Sequence, residues 1–137
     1  MINAIQIALS GLTAASKKTE AAASNIANLG TAGSLTEPDN SPYTPLEVQQ
    51  SPIIDSDGNG AGVESEFVPR QPPFSPSYAP DSPFADDYGL IGAPNVDLAQ
   101  EAVNLKLAEL SFKANAKIIK AASEMQEELI KTFDTEA

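Results

Sequence analysis

The residues best suited to chemistry lie in one turn-rich run, Asp55-Ser56-Asp57-Gly58-Asn59-Gly60. With Glu66 they fill the calcium-loop pattern D-x-[DN]-x-[DN]-G-x5-E, whose oxygens can surround a hard cation. Position eight of the loop is Gly62, where an EF-hand carries an apolar residue. Pro45 and Pro52 interrupt any helix before the loop, and Pro69, Pro72 and Pro73 any helix after it. An EF-hand needs both helices. Asp, Asn and Gly are also what a plain tight turn uses. The reading is that Asp55, Asp57, Asn59 and Glu66 belong to a turn and hold no metal. A soluble calcium-binding module is the alternative. Elsewhere the chemistry is thin. The chain has no Cys and no His. Disulfides, thiolate chemistry and the commonest general base are therefore excluded. An enzyme would have to work with carboxylates or lysines, and the acids are scattered with no pocket-forming constellation. No catalytic residue and no cofactor is expected.

What these residues sit between is more informative. The stretch from Asn95 to Phe133 has no Pro and no Gly and is rich in Ala, Leu, Lys and Glu. Val103, Leu107, Leu110, Ala114, Ile118, Ala121, Met125 and Leu129 recur at helical spacing. The spacing predicts one helix of roughly 55–60 Å at 1.5 Å per residue. The steps form an eleven-residue repeat, which favours a nearly straight stripe. Asp97 is the expected N-cap, with Gln100 completing a capping box and Glu101 in the first turn favoured by the helix dipole. Lys106, Lys113, Lys117 and Lys120 read as a solvated face, or as a contact with the acidic insert of a neighbouring subunit.

Residues 2–27 supply the second helix. Ile2, Ile5, Leu9, Leu12, Ser16, Thr19, Ala23 and Ile26 follow a strict heptad, with Ala8, Ala15 and Ala22 widening the stripe. The helix should stop near Asn28 to Gly30. Asn25 and Asn28 share a face, where Asn is poorly placed unless its amide has a use. A frayed end is one reading; amides bonded across a helix interface or to the following loop are the other.

Between the helices lies a different kind of chain. All 11 prolines fall between Pro38 and Pro94. Residues 31–94 carry ten acids and only Arg70, most of the overall net charge of −11. Leu46 to Ile54 and Val63 to Val68 predict a β-hairpin closed at Asp57-Gly58-Asn59-Gly60. Pro69 to Pro83 should run extended on a surface, without central strand or helix. Six of the eight aromatics, Tyr43, Phe67, Phe74, Tyr78, Phe84 and Tyr88, suggest a small packed cluster. The divisions expected are therefore 1–30, 31–94 and 95–137. The fold class is mainly α: two long terminal helices packed as an antiparallel-type coiled-coil pair, with a small β-hairpin and irregular proline-rich insert between them. The acidic balance argues against nucleic acid and against docking on anionic lipid. No apolar run reaches the length of a membrane span, so direct membrane insertion is not expected. The N-terminus lacks the pattern of a Sec-type signal peptide.

The two ends resemble the axial proteins of the bacterial flagellum, specifically the rod proteins of the basal body. Ser24-Asn25-Ile26-Ala27-Asn28 looks like the signature near the end of that family's first helix. Pro94-Asn95-Val96-Asp97, with Glu101 and Val103, looks like the signature opening its last helix, and Phe112-Lys113-Ala114-Asn115 matches that helix's aromatic-x-Ala-Asn motif. The short length and the Pro-Asn-Val-Asp form point to the proximal rod, and Tyr78 to Gly89 is similar to a Pro-rich, Asp-rich stretch found there. The resemblance implies a structural subunit of an axial tube that transmits torque from motor to hook and encloses the export channel. It implies export through the flagellar type III apparatus to the periplasmic basal body without a cleaved signal. Implied partners are further copies of the chain and other proximal- and distal-rod subunits. The export-gate adaptor and the MS ring or surrounding ring proteins are also implied. The expected subunit-packing residues are Ile5, Leu9, Leu12, Asn25, Ile26, Asn28, Val96, Val103, Leu107, Leu110, Phe112, Asn115, Ile118, Met125 and Leu129. The insert is expected on the outer surface, and the helical ends of the free chain are expected to be largely unfolded before assembly.

Overall fold

The computed structural model describes residues 2–135. Helix α1 spans Ile2–Ala27 and helix α2 spans Leu98–Thr135. Between them come a 3-10 turn at Pro38–Asn40 and four strands, β1 (Leu46–Ile54), β2 (Gly60–Pro69), β3 (Phe74–Tyr78) and β4 (Leu90–Pro94). The helices pack on each other as expected. About half the chain is helical, so "mainly α" is corrected to two helices plus two β-ribbons.

Both helix boundaries follow local chemistry. Asp97 caps α2: its Oδ1 accepts the N–H of Ala99 at 2.8 Å and of Gln100 at 3.2 Å. The reciprocal half of the capping box is not made, because the Gln100 side chain turns forward to Asn104 Oδ1 at 3.2 Å. At the end of α1, Asn28 and Leu29 close the last turn onto the carbonyls of Ser24 and Ile26.

The predicted hairpin is present. Strands β1 and β2 pair antiparallel from Leu46↔Pro69 to Ile54↔Gly60, with an irregularity after Ile53. Asp55 builds the turn: its Oδ1 accepts from the N–H of Asp57 at 3.0 Å and Asn59 at 2.8 Å, while Gly58, at φ 83°, donates to its carbonyl. The hairpin lies along α1, not α2. Ser10 Oγ accepts the Val63 N–H at 3.1 Å, and Lys17 Nζ donates to the Ser65 carbonyl with its ammonium 5.7 Å from the Phe67 ring centroid.

The second ribbon is a feature the proline count concealed. Strand β3 pairs antiparallel with β4, from Phe74↔Pro94 to Tyr78↔Leu90. Gly92 exchanges both its backbone bonds with Gly33 on the far edge, at 3.0 and 2.8 Å. Its partner on the near edge, Pro76, therefore stands at a position where no N–H is required. Pro94, two residues on, has the same phase. The expected cluster does not take in all six aromatics: Tyr78 and Tyr88 are 73% and 82% exposed, and Tyr43 bonds Asn25 at the end of α1.

Candidate assembly interface

The contact between α1 and α2 is made of small side chains. Among the described residues the buried apolar side chains of the two helices are Ala8, Ala14, Ala15, Ala21, Ala22, Ala108 and Ala122, while Ile91 and several prolines, Pro45 among them, are buried in the insert. Small side chains let two helices approach to the lower end of the usual ~8–10 Å spacing. The buried positions on α2, Glu101, Ala108 and Ala122, fall in one seven-residue phase, which also contains Asn115. That spacing is the coiled-coil period. Alanine buries little: one CH₂-sized group contributes only ~0.8 kcal/mol.

A seam of near-identical alanines could slip by a heptad, and two contacts fix it. At one, Gly11 faces Asn115: a Cβ at Gly11 would lie 2.7 Å from the Asn115 amide atoms. At the other, Asn25 Nδ2 donates to Glu101 Oε1 at 3.1 Å. Asn25 to Gly11 is fourteen residues backward, and Glu101 to Asn115 fourteen forward, so the helices run antiparallel in one unbroken register. In this register the last turns of α2 run past the start of α1. Gly11→Val should force the Asn115 amide out of the seam, at roughly 1–3 kcal/mol as for other overpacked sites. The measurement is a thermal melt of the free chain; an unchanged melting temperature would mean that the helices do not meet closely here.

The second contact is a polar junction of four chain segments. Asn25 is fully buried and completely hydrogen-bonded. Its Nδ2 also donates to the Leu46 carbonyl at 2.8 Å, and its Oδ1 accepts from the Leu46 N–H at 2.8 Å and the Tyr43 hydroxyl at 3.1 Å. The amide thus continues strand β1 by one pairing. Glu101, whose side chain is 1% exposed, forms a 2.6 Å ion pair with Arg70 Nη2 and accepts from Asn104 at 3.1 Å. Arg70 also donates to the Asn95 carbonyl at 3.3 Å. Sequence reasoning found Asn25 but missed this pair. The available signal was the one arginine in a strongly acidic insert, and an acid in the first turn whose dipole role left its burial unread. Asn28 does not cross the interface: its Nδ2 donates to the Ser24 carbonyl of its own helix at 2.9 Å.

The remaining packing candidates are not in the seam. Val103, Leu107, Leu110, Phe112, Ile118, Met125 and Leu129 are 45–57% exposed on α2. Apart from Phe112, these follow the predicted eleven-residue stripe: by helical phase Leu110 lies opposite the seam, Leu107 borders a cleft with Ala21 and Ala22, and Leu129 continues the seam's phase past the start of α1. On α1, Leu9 is 55% exposed, Ile5, Leu12 and Ile26 are half-buried, and Val96 is half-buried ahead of α2. Phe112 lines an open apolar groove of about 590 Å³ between the helices, with Ser16, Thr19 and Ala23 on its other wall. Beside the outward stripe run the lysines. Lys106 Nζ donates to Glu109 at 2.8 Å, and Lys113 bonds the same carboxylate. Hydrogen bonds from Lys106 and then Lys113 lower the Glu109 carboxyl from 4.5 to about 2. With the folded pKa below the unfolded one, the support this ion gives α2 is present above pH 4.5 and is lost as pH falls through about 2. A carboxyl-carbon NMR titration should place Glu109 below the other exposed glutamates, and Lys106→Ala with Lys113→Ala should return it to their range.

The calcium-like residues are not brought together. Glu66 pairs with Gln49, six residues along β2 from Gly60 and so about 20 Å at ~3.3 Å per residue. Asp55 spends its inward oxygen on backbone donors, chiefly the Asn59 N–H, which holds its carboxyl below the ordinary range. Among the described residues no group of three or more acidic, Cys or His side chains could hold a metal ion. Asp55→Ala should loosen the hairpin tip by about 1 kcal/mol per lost bond, read as faster amide exchange at Asp57 and Asn59. Added calcium should leave those exchange rates unchanged.

Comparison with known proteins agrees with this arrangement at both ends. Residues 5–33 match the family described as flagella basal body rod protein, and residues 89–132 match flagellar basal body rod FlgEFG protein C-terminal. The chain is 35% identical over 126 residues to the flagellar basal-body rod protein FlgC of Escherichia coli O6:H1, covering 91% of this chain and 92% of the relative. The same figures hold for FlgC of Salmonella typhimurium, and FlgC of Aquifex aeolicus is 28% identical over 98% of this chain and 96% of its own. With its paired end helices and both end motifs accounted for, this chain belongs to the flagellar basal-body rod protein family.

Proposed function

We propose that the chain is a structural subunit of the flagellar basal-body rod, placed in its proximal part. The observation that carries the reading is the outward stripe of α2. Six apolar side chains from Val103 to Leu129, spaced with Ala114 and Ala121, stand about half exposed over some seven turns, and among the described residues no strand packs along α2. An apolar line of that length marks an interaction surface. Neighbouring subunits, copies of this chain and other rod proteins, would cover it, and the resulting tube would carry torque around an export channel. The alanine seam fits the same role, since it supports α1 and α2 as a thin pair folded within one chain with modest stability, in place of ends that wait for assembly to fold. Export in an unfolded state, without a cleaved leader, to the periplasmic part of the basal body completes the proposal. Among the described residues no helix is long and apolar enough to cross a membrane.

The test is recovery. A tagged full-length chain expressed in its own host should co-purify with hook–basal bodies, with the intact mass of an uncleaved polypeptide. Loss of the chain should leave basal bodies without a complete rod. Complete rods in its absence would overturn the reading.

A further inference from the structure

We propose that the outward face of α2 receives the Tyr78–Tyr88 loop of a second copy of this chain, a contact that rests on the chain being an assembly subunit. The loop is built to present side chains outward. The Asp86 carboxylate accepts the N–H of Tyr88 at 2.9 Å and of Leu90 at 2.8 Å, and Ala79, Ser82, Ala85 and Gly89 close successive turns with backbone bonds. Its two tyrosines are nevertheless among the most exposed large side chains of the protein. Rigid, exposed tyrosines lose little entropy on binding and commonly anchor interfaces. Asp81 and Asp87 lie beside them in the sequence, and both are exposed or half-exposed at the surface.

The α2 face is the complement of this loop in both chemistry and charge. Lys106, Lys113, Lys117 and Lys120 each immediately precede a stripe residue, Leu107, Ala114, Ile118 and Ala121, so the lysines run along one flank of the apolar line. Those four lysines face Glu109, which Lys106 and Lys113 share, and Glu124, 3.7 Å from Lys120, so the face keeps a net positive charge in a chain whose net charge is −11. Within one molecule the two patches stay apart. Lys117 lies nineteen residues into α2, about 28 Å from its start at 1.5 Å per residue, and among the described residues no strand packs on that helix. Because donor and receiving patches differ, the contact is head-to-tail and propagates from copy to copy.

The experiment places a photo-crosslinking benzoylphenylalanine at position 88 in the full chain, in cells assembling rods. The expected product joins position 88 to residues 113–121 of a second copy. Lys117→Glu with Lys120→Glu should lower the yield at least about tenfold. Adding Asp81→Lys with Asp87→Lys to the same chain should restore it. The charged positions are at the surface, and circular dichroism of each variant should match the parent. A crosslink to another surface, to a different protein or to nothing, or a swap that fails to restore the yield, would overturn the proposal. Recovery of the chain in basal bodies is scored separately. Recovery with the crosslink elsewhere defeats this contact alone. Absence from basal bodies defeats the rod reading, and the same crosslink on concentrated purified chain then decides the contact by its presence or absence on α2.

Discussion

Leu110→Asp is expected to eliminate the chain from isolated basal bodies while leaving the free chain's expression and spectrum nearly unchanged. Leu110 is 54% exposed, so its replacement removes little that the isolated molecule uses. In the assembly the same position is to be covered. Two losses then combine. Burial of a leucine contributes on the order of 1.5–3 kcal/mol. An unpaired carboxylate forced into the contact costs several kcal/mol more. Together they exceed the ~1.4 kcal/mol per tenfold of affinity by severalfold, so occupancy should fall by more than about a thousandfold. Each subunit repeats the defect, which leaves no site in the rod able to avoid it. Lys18→Ala, off the stripe, should be milder. Basal bodies prepared from cells carrying each variant give the readout, together with circular dichroism of the purified chains. Normal incorporation of Leu110→Asp would mean the stripe stays in solvent, and the assembly reading of α2 would be wrong.

The two long helices were legible because periodicity is a property of one segment. Asp97 as N-cap and the stop after Ala27 were legible for the same reason. The face each helix buries was not. On α1 the heptad through Leu9 and Leu12 is the more hydrophobic, yet the chain buries Ala8, Ala15 and Ala22 beside it. Hydrophobicity ranks the sides of a helix by transfer energy, whereas close approach to a second helix selects for size. A subunit that reserves its large apolar residues for neighbours inverts the usual inference. The β3–β4 ribbon was hidden by its prolines, because the phase that makes Pro76 harmless depends on Gly33, over forty residues away in sequence. The Arg70–Glu101 pair was hidden likewise: nothing local to either residue indicates the other.

Arg70→Met is expected to be the most damaging single change to the free chain. Glu101 is almost wholly buried, and Arg70 is its only cationic partner among the described residues. Removing the guanidinium leaves a carboxylate held by the Asn25 and Asn104 amides alone. Breaking one side of a buried pair typically costs ~3–5 kcal/mol, because the charge left behind is not re-solvated. Against an alanine core that loss is large. The consequence is also spatial, since the junction ties the end of α1, the start of β1, the end of β2 and the start of α2. Melting should therefore begin at residues 98–108, with Asn25 losing its register with Leu46. The double variant Arg70→Met with Glu101→Gln separates charge from shape. A glutamine at position 101 keeps one acceptor oxygen for the Asn25 amide and meets Asn104 with an NH2, so Asn104 must turn its own amide, but no charge is stranded and the double variant should be more stable than Arg70→Met by about 1–3 kcal/mol, the range of coupled neighbours. Helix content against temperature and amide protection along α2 measure both. A double variant no better than the single would show that the damage comes from lost packing of the arginine stem, not from the stranded carboxylate.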